Sequence, residues 1–336
     1  MRPAADIPDV AGVDAGALPD FVLESTKPLV LRGIAANWPL VRAGLQSPAA
    51  AVDYLLTLYR QATVGAFLAG ADEGGRYFYN ADLDGFNFKA VKIKLDTVLQ
   101  QILHYASDPR PPSLYVGSTT IDTALPDFRQ TNDFGFGGRD PLASIWIGNR
   151  TRIAAHQDLP DNLACVAVGR RRFTLFPPQQ LENLYIGPLD FTPAGQAISL
   201  VDFANPDLEK FPRFVEAMRH SVGAELGPGD AIFIPSMWWH HIESLEPLNV
   251  LVNYWWRRSP AFMDTPFIAL MLAMMTVRDL PPEQLEAWRG MFEHYVFDAT
   301  PDKAAHIPAD ARRMLLPFDA DRARELRLHL LQRLNR

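Results

Sequence analysis

The sequence predicts a mainly β protein with added helices: a sandwich or barrel of short strands, preceded by mixed α/β elements and followed by a helical appendage. Three observations carry this. Between about residues 110 and 258, short runs rich in Val, Ile, Leu and aromatics alternate with Gly, Pro, Asn and Asp. Upstream, an extended apolar segment stands beside two stretches of helical spacing. Beyond Arg258 the strand signals stop and helical spacing takes over.

In chain order, 21–32 reads as an extended apolar segment. The stretch 48–59 reads as a helix, with Val52, Leu55, Leu56 and Tyr59 at helical spacing, and 91–104 as a second. The strand candidates are 113–117, 144–148, 163–168, 173–176, 231–234 and 250–256. The segments 267–277, 282–295 and 319–334 carry helical spacing, the last with Leu326, Leu328, Leu330, Leu331 and Leu334 among arginines. This divides the chain into 1–258 and a helical region 259–336. The apolar faces of that region need cover, from the barrel itself or from a second copy, and a homodimer is expected.

Bulk properties narrow the function classes. The 336 residues are 48% hydrophobic and 21% charged, with a net charge of -7 and no basic block. That points away from a nucleic-acid backbone as partner. One cysteine, Cys165, excludes an internal disulfide or a Cys-based zinc site, and its apolar surroundings read as a buried strand. The first residues lack an apolar signal region, and the most apolar run, 266–277, is too short to span a bilayer, so the expected setting is cytoplasmic.

The chemistry concentrates in two places: His156-Gln157-Asp158, and Trp238-Trp239-His240-His241, which begins beyond a turn, a short apolar stretch and Pro235. Side chains two apart on a strand or its edge share a face, so His156 and Asp158 can act together. With one imidazole from His240 or His241 they form a 2-His-1-carboxylate set, which holds Fe(II) on one face and leaves positions open. A zinc hydrolase uses the same donors, but no His-Glu-x-x-His base is present. A non-catalytic metal- or ligand-binding module remains a further alternative.

These motifs, with Asn162, 169–178 (Gly-Arg-Arg-Arg-Phe-Thr-Leu-Phe-Pro-Pro), 201–206, Gly227-Pro228-Gly229-Asp230, Ile242-Glu243-Ser244 and Val252-Asn253-Tyr254-Trp255, give 146–256 a resemblance. The segment resembles the cupin-like JmjC hydroxylases, most closely the asparaginyl-hydroxylase branch of factor inhibiting HIF. The resemblance implies a double-stranded β-helix, a jelly-roll barrel open at one end. It implies Fe(II) on His156, Asp158 and His240, with 2-oxoglutarate as cosubstrate and hydroxylation of a protein, peptide or small-molecule substrate. His241, on the opposite strand face, takes a supporting role. Arg171 stands where the family has a Lys that anchors the cosubstrate's far carboxylate. Arg can take that carboxylate through two parallel hydrogen bonds. Tyr115 matches a tyrosine reaching the same carboxylate, Asn162 and Asn253 match asparagines beside the cosubstrate, and Trp255 walls the site. Ile153 departs from a family Thr. The loops 80–88 and 119–139 are expected to face the substrate.

Overall fold

A computed structural model describes residues 1–335. It divides into two compact units, Met1–Arg257 and Arg258–Arg336.

The first unit is built on two facing sheets. The six-stranded sheet runs Ala5–Asp6, Val222–Leu226, Arg171–Phe176, Trp239–Ser244, Arg152–His156, Arg76–Tyr77. The nine-stranded sheet centres on Ala231–Ile234, Asp161–Val168, Asn249–Trp256 and Leu142–Gly148. It extends through Ser113–Thr120 and Thr63–Ala69 to Phe88–Lys94. From residue 142 onward the chain mostly changes sheet at each turn. This is a cupin-like double-stranded β-helix, four antiparallel strands of each sheet forming its walls.

Period-two alternation explains which face each strand buries. In Asp161–Val168, Leu163, Cys165 and Ala167 pack outward under the helices Pro39–Gln46, Pro48–Leu58 and Leu95–Tyr105, where Leu40, Val52, Leu55 and Leu99 meet them. Ala164 and Val166 point between the sheets, against Phe173, Leu175, Ile232 and Leu251. A strand buried on both faces loses the apolar-polar alternation of a half-exposed one, which is why it reads as a continuous apolar run. Burial pushes the Cys165 thiol far above its ordinary pKa, so it is inert packing.

Several elements differ from the sequence reading. Residues 91–94 end a strand, Phe88–Lys94, and the helix begins at Leu95. The 21–32 segment is a short helix, Asp20–Leu23, and then the strand Leu29–Leu31. Arg152–His156, Val222–Leu226 and Thr63–Ala69 are strands absent from the sequence reading; each is interrupted by Gly or Ala, which weakens the β-branched and aromatic signal.

Among the described residues the second unit holds three α-helices, Pro266–Thr276, Pro282–Phe292 and Ala320–Leu334, the first two joined by a short turn and the last two by a longer connection with a π-helical segment, Glu293–Phe297, and three 3-10 turns. Thr265 and Asp319 cap the first and third by accepting backbone N–H bonds. Among the described residues of this unit only Ala304 is buried. No helix of the described residues is long and apolar enough to cross a membrane.

Candidate metal centre and anion pocket

The open end of the barrel is a cavity of about 600 Å³, within the range of small-ligand pockets. Tyr115, His156, Asp158, Asn162, Arg171, His240, Asn253 and Trp255 all line it. Residues singled out from segments up to 140 positions apart thus meet in one place.

His156 ends the strand Arg152–His156 and sits directly opposite His240 on Trp239–Ser244. The register shifts between His240 and Ile242, so that Ala154 and Ala155 together oppose His241. This bulge re-aims the strand, and Ile153 and His156, three apart, both reach the cavity. Asp158 lies in the turn just after the strand, whose backbone is held by Met237 N–H donating to Asp158 C=O at 2.9 Å.

The ligand atoms of His156, Asp158 and His240 lie within 4.8 Å of one another. The orientation of the two imidazoles follows from hydrogen bonding. His156 Nδ1 is 2.9 Å from Ala154 C=O, and His240 Nδ1 is 3.0 Å from Trp238 C=O. A carbonyl only accepts, so each Nδ1 carries a proton, and each ring turns its Nε2 inward as the atom available to a ligand. Burial, reinforced by neighbouring His156, holds the His240 pKa at about 4, against the opposing pull of Asp158. His240 Nε2 and Asp158 Oδ2 are 3.6 Å apart. With His240 neutral this is no ion pair: two electron-rich groups face each other with no proton between them. Two lone pairs and a carboxylate converging in this way fit a divalent cation. The carbonyl partners of the Nδ1 atoms are the outer-shell bonds that orient ligating imidazoles.

His241 points the other way. It lies against Phe203, ring centroids 4.4 Å apart, and burial drives its pKa down to about 3.

Alternation separates the three consecutive arginines equally well. Arg170 pairs with Glu225 and Glu246, and Arg172 with Glu225 and Glu243, all on the exposed face. Arg171 is 2% exposed, on the face that carries Phe173 and Leu175. Its Nε and Nη2 have no hydrogen-bond partner. Burial lowers its pKa to about 10, so it remains a cation at neutral pH, and the one opposing influence is Tyr115. Burial raises Tyr115 far above its ordinary value, with Arg171 working against the rise. A buried guanidinium with unsatisfied donors and no carboxylate partner fits an anionic ligand with paired oxygens, such as a carboxylate.

Asn162 and Asn253 are both buried and bonded to each other, Asn253 Nδ2 donating to Asn162 Oδ1 at 3.2 Å. Trp255 stands edge-on to Trp146, centroids 5.8 Å apart. Ile153 lines the same cavity as Arg171 and makes the wall apolar where a hydroxyl was the alternative.

The structure also corrects the substrate loops. Of 80–88 only Phe88 reaches the cavity, and none of 119–139 does. Phe128, Phe134 and Phe136 of the latter turn into the helix-side core. The segment Pro193–Gln196 lines the cavity instead, from a connection with no periodic signal. Tyr77 and Trp146 are further lining residues that the sequence reading missed. Trp146 was legible in part: in Leu142–Gly148, Ile145 and Ile147 pack under the helices, so Trp146 must face the barrel interior.

The model of the cupin-like domain family matches residues 16–262. The chain belongs to the cupin-like domain family. Its relatives place this membership among JmjC-type proteins. It is 39% identical to HSPB1-associated protein 1 of Rattus norvegicus over 130 residues, 37% of this chain and 26% of that protein. It is 28% identical to lysine-specific demethylase 8 of Xenopus tropicalis over 245 residues, 70% of this chain and 49% of that one. It is 31% identical to tRNA wybutosine-synthesizing protein 5 of Gallus gallus over 140 residues, 42% and 39% of the two chains. The chain thus spans between about a quarter and a half of the length of these relatives.

Proposed function

We propose that the protein is an Fe(II)- and 2-oxoglutarate-dependent oxygenase that hydroxylates a C–H bond of a protein, peptide or small-molecule substrate. The observation that carries this is the pairing, in one cavity, of three converging ligand atoms with a buried cation that has no counterion among the described residues. His156, Asp158 and His240 would hold the iron. Arg171, with Tyr115 beside it, would take the far carboxylate of 2-oxoglutarate, and Asn162 and Asn253 would flank its keto-acid end. With both bound, the pair supplies an oxidant from O2 that converts C–H to C–OH, 2-oxoglutarate leaving as succinate and CO2. The barrel's own contribution is to orient these groups and exclude water: Trp255, Trp146 and Phe88 wall the cavity in aromatic surface.

The segment resemblance to asparaginyl hydroxylases supports a protein side chain as the first substrate class to test. The name of one relative, lysine-specific demethylase 8, supports oxidation of an N-methyl group, which begins with the same C–H hydroxylation. The cavity chemistry serves either. A reducing, cytoplasmic setting is proposed because it suits ferrous iron and the single thiol.

The test is an anaerobic titration of metal-free protein with Fe(II) and then 2-oxoglutarate, following the visible charge-transfer absorption, with His156→Ala as control. A saturable band in the parent and none in the control supports the reading, and O2-dependent succinate formation completes it. Iron binding without the band would redirect the proposal to another keto acid or to a ligand-binding module. Preference for zinc with hydrolytic turnover would replace it by a hydrolase.

We further propose that the helical unit is covered by a second copy of the chain. Among the described residues, seventeen of the twenty-six exposed large apolar side chains fall in Arg258–Arg336, including Met275, Trp288, Phe297, Leu328 and Leu331. Even half-exposed, so many large side chains offer more than the roughly 800 Å² per partner of a stable interface. A surface this apolar suits an obligate partner present from synthesis, and another copy of the chain is always present.

A further inference from the structure

We propose that Trp146 is a positioning residue for the cosubstrate: its indole N–H sets the orientation of Asn253 and, through it, of Asn162, so that Asn162 offers the cavity a hydrogen-bond donor. The inference rests on the oxygenase reading above and adds to it a residue outside the metal and anion sites.

The argument is one of donor and acceptor direction. Trp146 Nε1 donates to Asn253 Oδ1 at 2.7 Å. An indole N–H can only donate, so the oxygen of the Asn253 amide must face it. The Asn253 nitrogen is then turned the other way, where it donates to Asn162 Oδ1 at 3.2 Å. That engages the Asn162 oxygen; the Asn162 amide nitrogen donates to no acceptor among the described residues, and Asn162, 6% exposed, lines the cavity, so its nitrogen is the end left for a ligand. A side-chain amide placed alone could present either end to the cavity. A donor-only group at the head of the chain removes that freedom.

The sheet makes the relay possible. Trp146 sits opposite Leu251, and Asn253 opposite Ser144 and Ala164. Asn162 sits opposite Trp255. Each hydrogen bond therefore runs diagonally between neighbouring strands, within reach of long side chains. Trp146 is itself fixed: it stacks on Tyr115 at 6.0 Å and meets Trp255 edge-on. The N–H it orients complements the Arg171 guanidinium, which enters the same cavity from the facing sheet. Both ask for oxygen acceptors, as the two ends of a keto dicarboxylate supply them.

The experiment is a double-mutant cycle read by cosubstrate binding. Parent, Trp146→Phe, Asn162→Ala and the double variant are loaded anaerobically with Fe(II). Each is titrated with 2-oxoglutarate by the charge-transfer absorption, and Fe(II) affinity and Tm are measured beside it. Trp146→Phe keeps an aromatic ring at the position, smaller than indole, and removes the N–H. It is expected to raise the 2-oxoglutarate Kd about fivefold, the worth of one neutral hydrogen bond, with Fe(II) affinity unchanged. On the Asn162→Ala background the same change is expected to have no further effect, because its route is already cut. Equal and additive losses on both backgrounds would make Trp146 a packing residue and overturn the inference, as would an unchanged Kd in Trp146→Phe. Absence of the band in the parent itself would overturn the oxygenase reading, and this inference with it.

Discussion

The two units are incomplete in opposite senses. The barrel of Met1–Arg257 packs most of its large apolar side chains, and what it turns into its cavity is polar: Arg171 N–H groups with no acceptor among the described residues and three ligand atoms converging within 4.8 Å. In Arg258–Arg336 many charged side chains are paired, as Arg289 is with Glu286 and Arg324 with Asp321. What it leaves unsatisfied is apolar. A polar deficit in a closed pocket is met by a small charged ligand, because burial strengthens each interaction there. An apolar deficit spread over helix faces is met by another macromolecular surface.

The largest expected effect tests the barrel's deficit. His156→Ala removes a ligand outright and should weaken Fe(II) binding more than a hundredfold, beyond what loss of an outer-shell bond costs. Near-parent affinity by titration would show that the three converging atoms are not a metal site. Next, Arg171→Met should weaken 2-oxoglutarate binding about 10- to 100-fold by loss of a charge-assisted pair. The same change should stabilise the ligand-free protein by about 1–3 kcal/mol, since it replaces an unpaired buried charge with packing. The sign follows from the lowered pKa: the cation is disfavoured by folding, so its cost is present at every pH below about 10 and fades as the pH rises above that. Denaturant unfolding checks it, and a destabilised ligand-free variant would mean that Arg171 has a counterion after all.

The helical deficit is tested by Leu328→Glu with Leu331→Glu, three apart on one helix face. The pair should raise the dimer Kd by about thirtyfold or more, the scale of a hot-spot loss. Sedimentation of the parent as a monomer at micromolar concentration would instead assign those faces to the protein's own first unit. The smallest effect is Ile153→Thr. A hydroxyl added to the wall that carries Arg171 should tighten 2-oxoglutarate less than tenfold, measured in the same titration. A loss of affinity would show that the apolar wall is matched to the longer arginine.

Much of the barrel was legible because it rests on patterns that do not depend on distant partners. Apolar runs such as Leu163–Val168 read as strands from composition alone, and strict alternation put Arg171 on the inward face between two exposed arginines. His156 and Asp158 were legible by spacing. The strand Arg152–His156 was not: its Ala154-Ala155 bulge breaks period two, and only pairing with Trp239–Ser244 makes that break useful. Residues 91–94 read as helix because Val91, Ile93 and Leu95 straddle a strand end and a helix start, and strand pairing with Thr63–Ala69 decided the boundary.

The sequence by itself determined the ligand types, the double-stranded β-helix by resemblance, and the inward direction of Arg171, because each follows from residue chemistry, motif or local periodicity. Only the tertiary structure decided which histidine faces Asp158, that Arg171 has no counterion, that Pro193–Gln196 rather than 119–139 lines the cavity, and that Trp146 orients Asn253. Those are matters of which atoms meet across strands, and chain spacing carries no record of them.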